Sequence, residues 1–168
     1  MSLCPCGSSN TYEQCCGLYI DQKELPQTPE QLMRSRYTAY SMGKIDYIRK
    51  TMKGKALIGF NEQEAQQWAT RITWLGLEVT EAKPTSSDIG FVEFIARFRE
   101  QGQVQIIHEL SEFHREHGFW FYVSGVNKPI PARVPKPQVA RNSPCPCGSA
   151  RNTGAPASGR ASCRSSRG

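Results

Sequence analysis

The sequence predicts an α+β domain, with helices first and then an antiparallel sheet that they cover on one face. Between residues 28 and 68 apolar side chains recur at helical spacing behind recognisable N-caps. From Ile72 the period changes to two, the alternation of half-buried strands. Short connections at Gly102 and Gly118 leave no room for crossovers, so neighbouring strands pair as antiparallel hairpins.

The elements follow in order. Asp21 to Thr28 reads as a polar linker. Thr28-Pro29-Glu30-Gln31 then supplies an N-cap hydroxyl, a proline at the first helical position and a glutamine at N3. Met33, Tyr37 and Tyr40 form one stripe of that helix, which stops near Gly43. Arg34 and Arg36 are expected to flank the stripe as solvated side chains; lining a polar pocket is the alternative. A second short helix carries Ile45, Ile48 and Met52, and Lys53 to Gly59 reads as a loop. Asn61 and Glu64 make another capping box, with Phe60 as its hydrophobic staple, before a brief helix holding Trp68. Leu75, Leu77 and Val79 alternate in the first strand, and Val92, Phe94, Ala96 and Phe98 in the second. Val104 to Phe113 and Phe119 to Val123 complete the sheet.

Ahead of these elements, Cys4-Pro5-Cys6-Gly7-Ser8 and Cys15-Cys16 place four thiols within a short N-terminal segment. Soft thiolates in this number suit one Zn²⁺ ion. Pro5 stiffens the knuckle, and Gly7 lets the backbone fold back so that amides point at sulfur. Ser8 or Asn10 is expected to cap a short helix through Tyr12 whose end presents Cys15 and Cys16, with Gly17 just past it. A disulfide between adjacent Cys15 and Cys16 would be strained. A catalytic thiol would need a base, and no histidine lies nearby in sequence. An iron–sulfur cluster is the remaining alternative. The expected metal ligands are Cys4, Cys6, Cys15 and Cys16, holding one Zn²⁺ per chain.

The same opening words recur as Cys145-Pro146-Cys147-Gly148-Ser149. At the positions equivalent to the closing cysteine pair stand Pro156 and Ala157, and Cys163 comes too late for the spacing. The second copy is therefore expected to have lost its metal. From Ala150 on, the only apolar side chains are Ala, Pro and Cys163. A flexible tail is one reading of this change. A reading-frame shift is another: one permitted codon choice for residues 151–155, read two bases later, encodes Lys-Tyr-Arg-Arg. Sequencing the gene decides between them, and a downstream Cys-Cys in a shifted frame is the result that the frame shift requires.

The knuckle Cys4-Pro5-Cys6-Gly7-Ser8 with Cys15-Cys16 resembles the SEC-C motif, the small zinc-binding element at the C-terminus of the SecA translocation ATPase. Two copies around a compact middle make the chain, from residue 1 to about 150, similar to the bacterial YchJ family. The resemblance implies a cystatin-like, nuclear-transport-factor-2-like cone for the middle: N-terminal helices packed on a curved antiparallel sheet. The Tyr40 to Tyr47 segment and Gly118-Phe119-Trp120-Phe121-Tyr122 look like that superfamily. It also implies a chaperone or ribosome as partner. In SEC-C motifs such contacts fall to basic residues and an aromatic between the cysteine pairs. Here Ser9 to Gln14 keeps the aromatic, Tyr12, and has no basic residue. The expected organisation is a knuckle at 1–20, a cone at 28–126, a Pro-rich linker at 127–144, and a degenerate copy with a basic tail at 145–168.

Charge and composition bound the rest. The net charge is +6, yet residues 126–168 contain eight Lys or Arg and no acid, so the remainder is slightly acidic. That tail offers a weak route to nucleic acid and carries no base-stacking motif. No apolar run reaches the ~20 residues of a membrane span, and no secretory signal is visible. A cytoplasmic location with reduced thiols is the expectation. Sequence leaves the oligomeric state open. Catalysis is not expected. His108 and Glu109 face opposite sides of a strand, and His108 and His114 stand roughly 20 Å apart along it. Asp46 or His108 would be the acid–base residue if the cone were an enzyme, or the cone would bind a small molecule.

Overall fold

The computed structural model describes residues 2–131. The Cys145–Cys147 copy, the basic tail and most of the Pro-rich linker lie outside the described residues. After a 3₁₀ turn at Tyr12–Gln14 come α1 (Cys16–Ile20), α2 (Pro29–Ser41), α3 (Ile45–Lys50), α4 (Gly54–Ile58) and α5 (Glu62–Arg71). Four strands follow: β1 (Thr73–Pro84), β2 (Ile89–Glu100), β3 (Gln103–Glu116) and β4 (Phe119–Asn127). They pair antiparallel in the order β1-β2-β3-β4. This is the α+β cone expected from the sequence.

The caps behave as their chemistry requires. Thr28 Oγ1 accepts from the Gln31 amide at 3.2 Å, and the Gln31 side chain accepts in return from the Gln27 amide at 2.7 Å. Asn61 Oδ1 accepts from the amides of Gln63 and Glu64, which starts α5. The β2–β3 and β3–β4 connections are two-residue loops, Gln101-Gly102 and His117-Gly118, with both residues of each pair at positive φ. That conformation matches the twist of a hairpin, and glycine at the second position supplies it without strain.

Three local expectations are corrected. Lys53 to Gly59 is not all loop, because Gly54–Ile58 forms a helical turn. It has no side-chain cap and buries no residue, so it left no signal in the sequence. Met52 is outside α3; its backbone forms a parallel bridge to Tyr122 at the edge of β4. Leu75 is not on the inner face. A bulge between Trp74 and Gly76 throws it out to solvent, so Trp74, Leu77 and Val79 pack on the core instead.

α2 is the central element. Leu32, Met33, Ser35, Arg36, Tyr37, Thr38 and Ala39 are all buried, more than one face of a helix can supply. The sheet covers one side through Val92, Phe94 and Ala96, and the cysteine segment covers another. Cys4, Cys6, Cys16 and Ile20 belong to the same apolar cluster as Leu32, Phe113 and Trp120. The knuckle and the cone therefore share one core. Met1–Ile130 is one compact unit.

Candidate functional site

The four N-terminal thiols converge. The Sγ atoms of Cys4, Cys6, Cys15 and Cys16 all lie within 4.8 Å of one another. Cys6 to Cys15 is 3.6 Å and Cys15 to Cys16 is 3.9 Å. Four sulfurs at tetrahedral Zn–S distance from one ion would stand about 3.8 Å apart. The spacing fits a closed tetrathiolate site and is far beyond a disulfide bond.

Local backbone chemistry assembles this cluster. A bridge pairs Leu3 with Thr11, the Cys4 amide donates to Asn10 O at 2.8 Å, and the Gly7 amide donates back to Cys4 O at 3.1 Å. Gly7 takes φ +76°, the left-handed turn that folds the knuckle. The second pair is presented differently from expectation. No Ser8 or Asn10 cap forms, and Cys16 opens α1 instead of closing a helix. Gly17 lies inside α1, where a Cβ would stand 2.7 Å from Tyr12 O and 2.8 Å from its ring. Alanine elsewhere in a helix would be worth ~1 kcal/mol over glycine, but overpacking of this kind costs about 1–3 kcal/mol and displaces the Tyr12 turn. Gly17→Ala should therefore lower the denaturation midpoint; an unchanged midpoint would show that Tyr12 yields freely.

Charge inside the cluster argues for a cation. The Cys6 thiol is pulled down to about 4, first by a hydrogen bond from Cys16, against the opposing effect of its burial. Cys16 is pushed up by that same bond and by burial, and Cys15 is pushed up mainly by burial. Four thiolates this close would repel each other unless a cation held them. Neutral donors surround the cluster: Ser8 Oγ is 3.2 Å from Cys15 Sγ, and Thr38 Oγ1, fully buried on α2, is 3.7 Å from Cys4 Sγ. Arg34 Nη1 donates to Cys6 O at 3.1 Å and its Nε to Glu30 at 2.9 Å. The arginine expected in solvent thus ties α2 to the knuckle.

A second feature lies on the inner face of the sheet: a cavity of about 560 Å³ whose walls include Tyr40, Trp68, Trp74 and Phe94. The expectation of a solvated Arg36 fails here. It is 6% exposed, because α2 turns this position toward the sheet. Its Nη1 donates to Ile48 O at 2.8 Å and Thr51 Oγ1 at 2.7 Å, and its Cζ lies 4.8 Å above the centre of the Tyr122 ring. Burial lowers its pKa, opposed by Tyr40, Tyr122, Tyr47 and, least of these, Glu109. Glu109 faces inward across from Phe94 and accepts from Ser111 Oγ at 2.6 Å and Tyr122 Oη at 3.0 Å. This inward polar group was missed in the sequence, where residues 109–113 look like an ordinary half-buried strand.

The acid–base candidates are elsewhere. Asp46 is exposed and pairs with Lys50 at 2.7 Å. His108 points away from the cavity, with Nε2 2.7 Å from Glu93 and Nδ1 2.6 Å from Pro129 O. His114 pairs with Glu112 at 2.7 Å, which holds that carboxyl below its usual range. His117 is in the exposed hairpin turn. The three histidines are not brought together. Among the described residues no helix is long and apolar enough to cross a membrane.

Comparison with known proteins agrees with this geometry. Residues 28–125 match the model of the YchJ middle NTF2-like domain, and residues 2–18 match the SEC-C motif. The chain is similar to a SEC-C motif containing protein from Rhodopseudomonas palustris, solved in solution. The two share 37% identity over 73% of this chain and 96% of that one, with a TM-score of 0.68. It is also similar to a SEC-C motif containing protein from Psychrobacter arcticus, seen in a crystal. There the identity is 29% over 89% of this chain and 91% of that one, with a TM-score of 0.64.

Proposed function

The chain belongs to the YchJ family, an N-terminal SEC-C motif joined to the family's middle NTF2-like domain, and on that premise we propose that it is a zinc-clasped, non-enzymatic binding module. The observation that carries this reading is the convergence of the Cys4, Cys6, Cys15 and Cys16 sulfurs within 4.8 Å. Zn²⁺ suits four thiolates at this spacing, in a site with no open coordination position. An ion so enclosed supports structure and offers a substrate no place to bind. Metal analysis of the purified full chain should give about one Zn²⁺ per molecule. Two would mean that the Cys145–Cys147 copy also closes a site, and none would end the zinc reading.

The partner we propose is a chaperone or the ribosome, which would place the protein in export or quality control. The support is the SEC-C motif together with the exposed knuckle surface, where Leu3 stands 69% open to solvent. Metal-loaded chain should co-sediment with ribosomal subunits or retain an export chaperone, and a Leu3→Glu variant should lose that association. If neither partner is retained, the adaptor role fails while the zinc site stands.

A second reading is favoured by one observation, the nearly buried Arg36 beside Glu109 on an aromatic-walled cavity. In it, the cone holds a small molecule.

A further inference from the structure

Resting on that second reading, we propose that the inner cavity binds a planar heteroaromatic lactam, its ring carbonyl taken by the Arg36 guanidinium and its ring N–H by the Glu109 carboxylate.

The argument begins with unused hydrogen-bonding capacity. Arg36 has five N–H donors, and only Nη1 is engaged, by Ile48 O and Thr51 Oγ1. Among the described residues Nε and Nη2 have no protein acceptor, although the side chain is 6% exposed and lines the cavity. Capping the end of α3 explains Nη1 alone. Glu109 is used in the complementary way. Among the described residues its two donors, Ser111 and Tyr122, both bond Oε1, which leaves Oε2 without a protein donor there. The Tyr122 ring links the two groups, with the guanidinium over its face and the carboxylate at its hydroxyl.

The backbone makes room for this arrangement. A Cβ at Gly125 would collide with Glu109 Oε1 and with the Tyr122 hydroxyl. Gly125 pairs with Ser111 beyond a register shift in β4, so the strand brings a residue without a side chain against the carboxylate.

Charge selects the ligand class. The charged side chains of the lining are Arg36, Lys55 and Glu109: a carboxylate or phosphate drawn to the two cations would meet Glu109, and an ammonium drawn to Glu109 would meet both cations. A neutral group with an acceptor beside a donor satisfies both. Tyr40, Trp68, Trp74 and Phe94 supply flat apolar walls, which favour a ring system over a flexible amide. A volume of about 560 Å³ accommodates a bicycle with a substituent.

The test uses the full chain with two probes, 2-aminoquinazolin-4(3H)-one as the lactam and naphthalene as a ring of similar size without polar atoms. Quenching of tryptophan fluorescence and ligand-observed NMR give the two affinities. The lactam should bind at least about tenfold more tightly than naphthalene. Glu109→Gln should remove that advantage and leave naphthalene binding within about twofold, and Gly125→Ala, which displaces the carboxylate, should do the same. Both variants are first confirmed to melt cooperatively and to keep their metal. Equal binding of the two probes, or a lactam affinity indifferent to Glu109→Gln, overturns the lactam assignment and leaves the cavity-binding reading intact. No binding of either probe overturns both.

Discussion

Removing the Zn²⁺ proposed for the four cysteines should destabilise the whole of the described fold and not the knuckle alone. Cys6 is fully buried and Cys16 nearly so, both within the cluster that contains Leu32, Val92 and Phe113. Thr38 touches Cys4 from the middle of α2, and Arg34 holds Cys6 O. When the thiolates lose their cation they must reprotonate or separate, and the α2 surface packed on them is exposed. Zinc binding in small modules is worth about 10–16 kcal/mol, most of it spent on ordering the ligands. A residual loss of about 3 kcal/mol for the cone corresponds to a fall on the order of 10 °C in Tm. Cys16→Ser should have the same effect as chelation, because it removes a ligand at the buried end of the site. Thermal melts followed by tryptophan fluorescence, which reports Trp68 and Trp74 far from the thiols in sequence, provide the measurement. One cooperative transition at lower temperature is expected. A cone transition that stays within about 2 °C of the loaded protein would show that the shared core carries little energy.

Arg36→Leu should be the most costly single change on the cone side, at about 3 kcal/mol. Two losses coincide: the Ile48 carbonyl and Thr51 hydroxyl lose their donor, and the Tyr122 face loses its cation. The leucine offsets part of this through apolar burial, which is why the cost is not larger. A cycle with Glu109→Gln, alone and in the Arg36→Leu background, measures how far the two side chains act together. The denaturant midpoint at constant slope gives both values. Strict additivity of the two substitutions would mean that the side chains do not act as a pair, and would weaken the clamp on which the lactam proposal depends.

How much could be read in advance depended on the range of each interaction. The caps at Thr28 and Asn61, the hairpins at Gly102 and Gly118, and the cysteine cluster are set by residues close in the chain, and all were legible. Gly17 was legible as special but not for the right reason: its need comes from the Tyr12 ring and carbonyl, which only the folded turn brings against it. Leu75 was misplaced by the bulge between Trp74 and Gly76, which puts Trp74 inward in its stead while Leu77 and Val79 beyond it keep the expected side. Arg36 was misplaced because one apolar stripe was identified on α2, whereas the helix is covered on more than one side.

The sequence by itself determined the α+β class, the order of helices and strands, and the four cysteines with the spacing for one metal site. Each of these rests on local periodicity, turn chemistry or ligand spacing. Only the tertiary structure decided that the knuckle and the cone share a core, and that Arg36 and Glu109 line one cavity. Those facts depend on packing α2 between the cysteine segment and the sheet, a relation among residues 4–16, 32–38 and 92–125 that no local pattern encodes. The charge of Arg36 is tolerable in the interior because Ile48, Thr51, Tyr122 and Glu109 arrive around it from three other elements and the turn after α3.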